Sequence, residues 1–136
     1  GPTLPNVTLS GNSAIDGGGM LNYNNSNPTL INVIISGNTV GDEGSGGGVS
    51  NKLGSSPTLT NVIISGNLAS YGAGMYTTGG GSLTLTNVTM GGNNARSFGG
   101  GIYNDGAGSH NIRNSIILGN DAVQGGAGIQ GSANMT

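Results

Sequence analysis

The chain has few side chains capable of acid–base chemistry, and they are scattered. The acidic residues are Asp16, Asp42, Glu43, Asp105 and Asp121. A glycoside hydrolase needs two carboxyl groups about 5–10 Å apart across a bound sugar. Asp16 and Asp42 precede corresponding strands of adjacent repeats and could approach each other. Glu43 lies beside Asp42 in the longest loop (41–47), where a repeat protein often carries its special chemistry, but we expect a solvated loop there.

The basic residues give no stronger sign of catalysis. Arg96 and Arg113 lie in adjacent repeats, yet no two acidic residues near them share a repeat position, as a Ca²⁺-dependent lyase would require. His110 is the single histidine, and we expect it at the surface or at a junction between strands. The glycine triplets recur at strand entries and do not indicate a nucleotide site. We predict no catalytic residue, no cofactor and no metal site; a polysaccharide lyase or hydrolase is the alternative.

Four of the five aromatic residues occupy matching positions of two neighbouring repeats. They are Tyr71 with Phe98, and Tyr76 with Tyr103. Aromatic faces on an outer surface can stack against sugar rings, so these four residues are possible glycan contacts. The alternative is an aromatic ladder that stiffens the protein.

Composition restricts the class of protein. Charged residues make up 6% of the 136 residues, the net charge is -2, and there are 30 Gly and no Cys. So few basic residues argue against nucleic acid or an anionic membrane surface as a partner. No apolar run reaches the roughly 20 residues of a membrane span, so no membrane insertion is expected. A low-charge chain rich in Asn, Ser, Thr and Gly is typical of extracellular or cell-surface repeat proteins.

A repeat fills the whole chain. One apolar phrase containing Asn occurs five times, with this Asn at positions 6, 32, 61, 87 and 114, so that the steps are 26, 29, 26 and 27 residues. Such a period is the sequence signature of a solenoid. We predict a single domain over 1–136 with repeats at about 3–28, 29–57, 58–83, 84–110 and 111–136.

Within each repeat the apolar residues alternate, which predicts strands rather than helices. The alternation of inward apolar positions shifts by one residue at the first Asn. This shift indicates a bend at that Asn, which tolerates the left-handed backbone conformation. The Gly-Asn pair a few residues later makes a second corner. Three short strands per repeat predict an all-β parallel β-helix of five coils, right-handed by the usual chirality of parallel crossovers.

Two rows of aligned Asn are expected to point inward and form hydrogen-bonded amide ladders at the corners. The first row comprises Asn6, Asn32, Asn61, Asn87 and Asn114, and the second comprises Asn12, Asn38, Asn67, Asn93 and Asn120.

The repeat phase suggests how coils would join. The chain begins and ends at the same phase of the repeat and has no obvious cap, which a free solenoid needs. We therefore expect self-association head to tail, or covalent continuation into further repeats. The candidate end-stacking residues are Leu4, Val7, Leu9 and Met20 at one end and Ile112, Ile117 and Ile129 at the other.

Two phrases resemble a known repeat class. Apolar-x-x-Asn appears from Leu9 to Asn12 and in every later repeat, and Gly-Gly/Ala-Gly-apolar appears from Gly17 to Met20 and in every later repeat. Together they resemble the polymorphic outer membrane protein repeats, within the pectin-lyase-like class of right-handed parallel β-helices, although aliphatic residues stand where that family prefers Phe. The resemblance implies a secreted or surface-exposed adhesin or autotransporter passenger, while other members of the fold class process polysaccharides. We therefore expect a structural stalk, adhesin segment or filament subunit, contacting glycans or a host surface; the alternative is a carbohydrate-binding or polysaccharide-processing β-helix.

Overall fold

The protein is an all-β solenoid of five coils in a computed structural model that describes residues 1–131 and 134–135. Coil 1 contains β1 (Thr3–Pro5), β2 (Thr8–Ser10), β3 (Ser13–Ala14) and β4 (Met20–Asn22). Coil 2 contains β5 (Thr29–Ile31), β6 (Ile34–Ser36), β7 (Thr39–Val40) and β8 (Val49–Asn51). Coil 3 contains β9 (Thr58–Thr60), β10 (Ile63–Ser65), β11 (Leu68–Tyr71) and β12 (Met75–Thr78).

The last two coils follow the same order. Coil 4 contains β13 (Thr84–Thr86), β14 (Thr89–Gly91), β15 (Asn94–Phe98) and β16 (Ile102–Asp105). Coil 5 contains β17 (Ser109–Arg113), β18 (Ile116–Ile117), β19 (Asp121–Ala122) and β20 (Ile129–Gly131), and β21 (Asn134–Met135) follows it.

Equivalent strands of successive coils pair in parallel and form four sheets. Face 1 is the sheet β1-β5-β9-β13-β17-β21, face 2 is β2-β6-β10-β14-β18, face 3 is β3-β7-β11-β15-β19, and face 4 is β4-β8-β12-β16-β20. The prediction of three strands per coil was wrong, because each coil has four. The residues that follow the Gly-Asn pair form the short strands of face 3, whereas the sequence predicted only a corner there. The strands of face 3 have only two residues in coils 1, 2 and 5, which is too short for an alternating pattern to show.

The inward apolar rows predicted from the alternation form the core. On face 1, Leu30, Leu59 and Leu85 lie in register and have no exposed surface. The valine and isoleucine or methionine rows of face 2 pack against them in one cluster that runs the length of the solenoid. A smaller cluster of Val40 and alanines lies under face 3. Removal of these side chains from water, at about 25 cal/mol per Å² of apolar surface, is the main force that holds the coils together.

The first Asn row bends the chain as predicted, but it points outward. The φ angles of Asn6, Asn32, Asn61, Asn87 and Asn114 lie between 48° and 56°, in the left-handed region. All five residues are exposed, so the predicted inward orientation was wrong. The left-handed residue turns its own side chain away from the core, and the following residue, such as Val62, then points inward.

These exposed side chains still form a ladder along the outside. Asn32 Nδ2 donates to Asn6 Oδ1 over 3.2 Å, Asn61 Nδ2 donates to Asn32 Oδ1 over 3.2 Å, and Asn87 Nδ2 donates to Asn61 Oδ1 over 3.1 Å. The row therefore links coils 1 to 4 at the surface.

The second Asn row forms the predicted interior ladder. Asn38, Asn67 and Asn93 are at most 1% exposed. Each of these Asn residues donates two hydrogen bonds to the Oδ1 of the Asn in the next coil, one from its Nδ2 and one from its own backbone N–H. For example, Asn38 N and Asn38 Nδ2 both donate to Asn67 Oδ1. The second Nδ2 hydrogen binds a core carbonyl, such as that of Ile35 for Asn67. Buried amides are thereby satisfied without water.

A further interior polar row lies on face 4, where sequence reasoning had not placed one. Asn22, Asn51, Thr77 and Asn104 are in register and buried. Asn22 Nδ2 donates to Asn51 Oδ1 over 2.8 Å, and Asn51 Nδ2 reaches Thr77 Oγ1 at 3.4 Å. Each of these residues follows an inward apolar residue by two positions, so its parity alone could have predicted an inward side chain.

Candidate functional site: end coils and an aromatic surface

The two end coils present partly exposed apolar rows. Leu4, Val7, Leu9, Met20, Ile112 and Ile117 pack on the core from one side only, and Ile129 is 38% exposed. Their register partners in the middle coils, such as Leu30 and Ile35, are fully buried. At these ends β1 to β4 and β18 to β21 are the edge strands of the four sheets. Of the seven residues expected at the ends, five lie on these edge strands: Leu4, Leu9, Met20, Ile117 and Ile129. Val7 lies between β1 and β2, and Ile112 lies on β17, which pairs with β21.

Four aromatic residues form one cluster on the side of coils 3 and 4. Tyr76 and Tyr103 are register partners on face 4, with ring centroids 5.7 Å apart and planes at 5°. Tyr71 and Phe98 pair at the end of face 3, with centroids 6.5 Å apart and planes at 19°. Tyr71 also approaches Tyr103 at 5.7 Å and 55°. The structure brings together the four residues that the sequence placed in matching positions, as two neighbouring columns of rings.

An ion pair covers the coil-2 side of the Tyr76 ring. Lys52 Nζ lies 5.9 Å from the centroid of that ring and 2.8 Å from Asp16 Oδ2. Asp16 Oδ1 accepts hydrogen bonds from the backbone N–H and the hydroxyl of Ser45. Burial alone would raise the pKa of Asp16, but the bonds from Lys52 and Ser45 and the charge of Lys52 outweigh it and lower the pKa. Tyr76 therefore lies between a cation of coil 2 and the Tyr103 ring of coil 4.

A recess opens beside the ring cluster. Its volume is about 280 Å³, and Tyr71, Tyr76, Tyr103 and Asp105 line it. The Tyr76 hydroxyl donates to Asp105 Oδ2 at 3.4 Å. Burial is the main cause that raises the pKa of Tyr76, and the nearby Asp105 charge adds to it. The recess therefore has aromatic walls with phenol hydroxyl groups and one exposed carboxyl group.

The remaining acidic residues take separate places. Asp42 and Glu43 are exposed in the 41–47 loop, and Asp42 Oδ1 lies 3.9 Å from Arg96 Nε. Asp121 Oδ1 accepts the neighbouring Ala122 N–H. Asp16 is engaged by Lys52 as described above. The carboxyl groups of Asp16, Asp42 and Asp121 therefore each have a different local partner.

Arg96 makes an unusually long connection. From β15 in coil 4 its Nη1 donates to the Val40 carbonyl oxygen over 3.1 Å, and it lies 3.4 Å from the Gly41 oxygen. Both acceptors belong to coil 2, so the side chain spans coil 3. It holds the start of the 41–47 loop against the side of the solenoid.

His110, which was expected at the surface or at a junction, is buried at 1% exposure and so does not lie at the surface. It lies on β17 in face 1, where its Nδ1 accepts the Leu83 backbone N–H over 3.1 Å. Burial lowers the pKa of His110, and its Nε2 has no partner among the described residues. The imidazole is thus a neutral interior acceptor that satisfies the backbone N–H of Leu83, the residue before β13.

Residues 1–131 and 134–135 include no group of three or more His, Cys, Asp or Glu side chains that could hold a metal ion. The same residues include no helix long and apolar enough to cross a bilayer.

Comparison of the chain with protein-family models, with curated proteins and with solved structures found no match.

Proposed function

We propose that the chain is a structural segment of an extracellular or cell-surface assembly: a stalk, an adhesin segment or a fibre subunit whose coils stack end to end. The observation that carries the proposal is the contrast between the end coils and the middle coils. Leu9 and Ile117 remain partly exposed in the rows where Ile35, Ile64 and Met90 are fully buried.

The end surfaces suit a further coil. A parallel strand added at either end would continue the backbone ladders, because open edges pair readily with another strand. The same step would bury the partly exposed apolar residues and extend the interior Asn row. The incoming coil can belong to a second copy or to a covalently continuous repeat.

The uninterrupted ladders suit a mechanical role. With strands about 4.8 Å apart, five coils give a rod of roughly 24 Å, so a useful length requires stacking. The resemblance of the Apolar-x-x-Asn and Gly-Gly/Ala-Gly-apolar phrases to polymorphic outer membrane protein repeats supports a surface location and an adhesive assembly. The proposal assigns no catalytic role to the acidic residues and requires no cofactor.

Negative-stain electron microscopy of the purified chain across a concentration series tests the proposal, with analytical ultracentrifugation as a second readout. We expect unbranched rods that lengthen with concentration. Leu9→Asp should abolish them, because it places a carboxylate in the apolar end row. Thr8→Asp is the matched control, since Thr8 lies on the same strand and is exposed.

Circular dichroism must show that both variants keep their strands. Rods that form normally with Leu9→Asp would contradict stacking through coil 1. Single particles at every concentration would exclude self-stacking and leave covalent continuation as the means of covering the ends.

A further inference from the structure

We propose that the recess beside Tyr71, Tyr76 and Tyr103 binds a neutral saccharide. The site lies on the side of coils 3 and 4, away from the end surfaces, so it does not depend on end stacking. Its volume of about 280 Å³ is just below the range for drug-sized small-molecule sites, about 300–1,000 Å³. It therefore suits a short saccharide or the end of a chain.

The arrangement of the rings determines which of them the sugar contacts. Tyr76 has Lys52 on its coil-2 side and Tyr103 stacked on its coil-4 side, so its faces are occupied. Tyr71 and Tyr103 meet at 55° and form an angled wall. A pyranose ring has an apolar C–H face that packs on such a wall, and aromatic side chains supply most of the contact area at sites of this kind.

Asp105 supplies the polar contact. Its carboxyl group is exposed at the rim and lies 3.4 Å from the Tyr76 hydroxyl. A carboxylate accepts hydrogen bonds only, and sugar hydroxyls donate them. Aromatic walls with an adjacent acceptor thus match the two surfaces of a sugar.

The local charges disfavour acidic sugars. Lys52, whose Nζ lies 5.9 Å from the centroid of the Tyr76 ring, already binds Asp16 at 2.8 Å. Asp105 would repel a uronic or sialic carboxylate placed in the recess. The site should therefore prefer a neutral sugar.

The scaffold holds the rings in place before a ligand arrives. Tyr71 and Tyr76 flank the Gly72–Gly74 corner, where a Cβ on Gly72 or Gly74 would lie 2.2–2.5 Å from a backbone oxygen. The backbone at this corner is therefore closely packed. A preorganised site loses little entropy on binding, so even a small contact area can give measurable affinity.

Tyrosine fluorescence provides a direct binding test, because three of the four tyrosines line the recess and the chain has no Trp. The intact chain is titrated with neutral mono- and oligosaccharides, with uronic and sialylated sugars, and with the cation choline. Calorimetry then confirms each ligand that changes the fluorescence. We expect saturable binding of a neutral saccharide. Tyr71→Ala and Tyr103→Ala should each weaken it about tenfold or more, a loss of about 1.4 kcal/mol. Asp105→Asn should weaken it less, because the amide oxygen still accepts a hydrogen bond.

Tyr23→Ala is the matched control, because Tyr23 is an exposed tyrosine outside the cluster, and it should leave the affinity unchanged. Circular dichroism and the thermal midpoint separate loss of binding from loss of fold. If an aromatic variant unfolds, Asp105→Asn still tests the site, because it removes only a surface charge. The proposal is overturned by no binding across the neutral panel at millimolar concentration, or by a preference for acidic sugars. Binding of choline alone, or binding that survives Tyr71→Ala and Tyr103→Ala, also overturns it.

Discussion

Asn67 Nδ2 donates a 2.9 Å hydrogen bond to Asn93 Oδ1, and neither side chain is more than 1% exposed. The Oδ1 atom of the same Asn67 side chain accepts two hydrogen bonds from Asn38, one from its backbone N–H and one from its Nδ2. One amide therefore connects three successive coils inside the solenoid. Because no water reaches it, its loss cannot be compensated locally.

Asn67→Leu tests the strength of this row. The substitution leaves Asn38 N and Nδ2 without their acceptor in a buried place, and each unsatisfied group costs about 1–3 kcal/mol. We expect the free energy of unfolding to fall by about 2–4 kcal/mol, as measured by urea denaturation. A loss below about 1 kcal/mol would mean that the row does not contribute as proposed.

Asn61 on the outer row gives the contrasting case. Its φ of 55° is strained for Ala by about 1–2 kcal/mol but not for Gly. Asn61→Ala should therefore destabilise by about that amount, whereas Asn61→Gly should cost less, because the lost hydrogen bonds are exposed to water. Thermal melts of the two variants decide the order; equal losses would show that the side chain matters and the conformation does not.

Gly74→Ala tests the packing of the glycine corner. A Cβ there would lie 2.5 Å from the Gly101 carbonyl oxygen, whereas nothing lies within 4 Å of a Cβ on Gly41. Since the obstacle is backbone, the coils must separate to relieve it, and we expect a loss of about 3 kcal/mol or more. Gly41→Ala is the control and should change stability by less than about 1 kcal/mol. Similar denaturation midpoints for the two variants would contradict the close approach of coils 3 and 4.

His110 should make stability depend on pH near neutrality. Burial lowers its pKa in the folded state, below the value of about 6.5 in the unfolded chain. The unfolded chain then binds the proton more readily, so the stability that His110 contributes is present above about pH 6.5 and is lost as the pH falls toward the folded pKa. The thermal midpoint should therefore decrease when the pH is lowered from 7 to 5.

His110→Gln should remove most of this dependence, because the chain has one histidine. An unchanged slope in the variant would assign the effect to another group.

The sequence predicted the axial organisation because the same residue type must recur wherever coils stack. Leu30, Leu59 and Leu85 were correctly placed in one buried row, and the left-handed corner at Asn61 was also correct. The predicted inward orientation of the Asn61 side chain was wrong. A shift in the alternation of apolar residues shows that the chain bends, but it does not show on which side of the bend a side chain lies. Short strands such as Thr39–Val40 were missed because two residues carry no period.

The candidate site was predictable only in part. Equal repeat positions placed Tyr76 above Tyr103, because register in a solenoid follows from the period. The contact between Tyr71 and Tyr103 crosses a corner, and it depends on how sharply Gly72–Gly74 turns the chain. The engagement of Lys52 with Asp16 spans 36 residues and depends on side-chain reach, which a repeat pattern does not encode.

Arg96 changes how the solenoid should come apart. In a simple stack each coil interacts only with its neighbours, so unfolding proceeds one coil at a time from either end. The bond from Arg96 to the Val40 oxygen adds a link that skips coil 3, so coil 3 cannot open without releasing it. Coils 2 to 4 should therefore behave as one cooperative block, with amide hydrogens that exchange together and more slowly than those of coils 1 and 5.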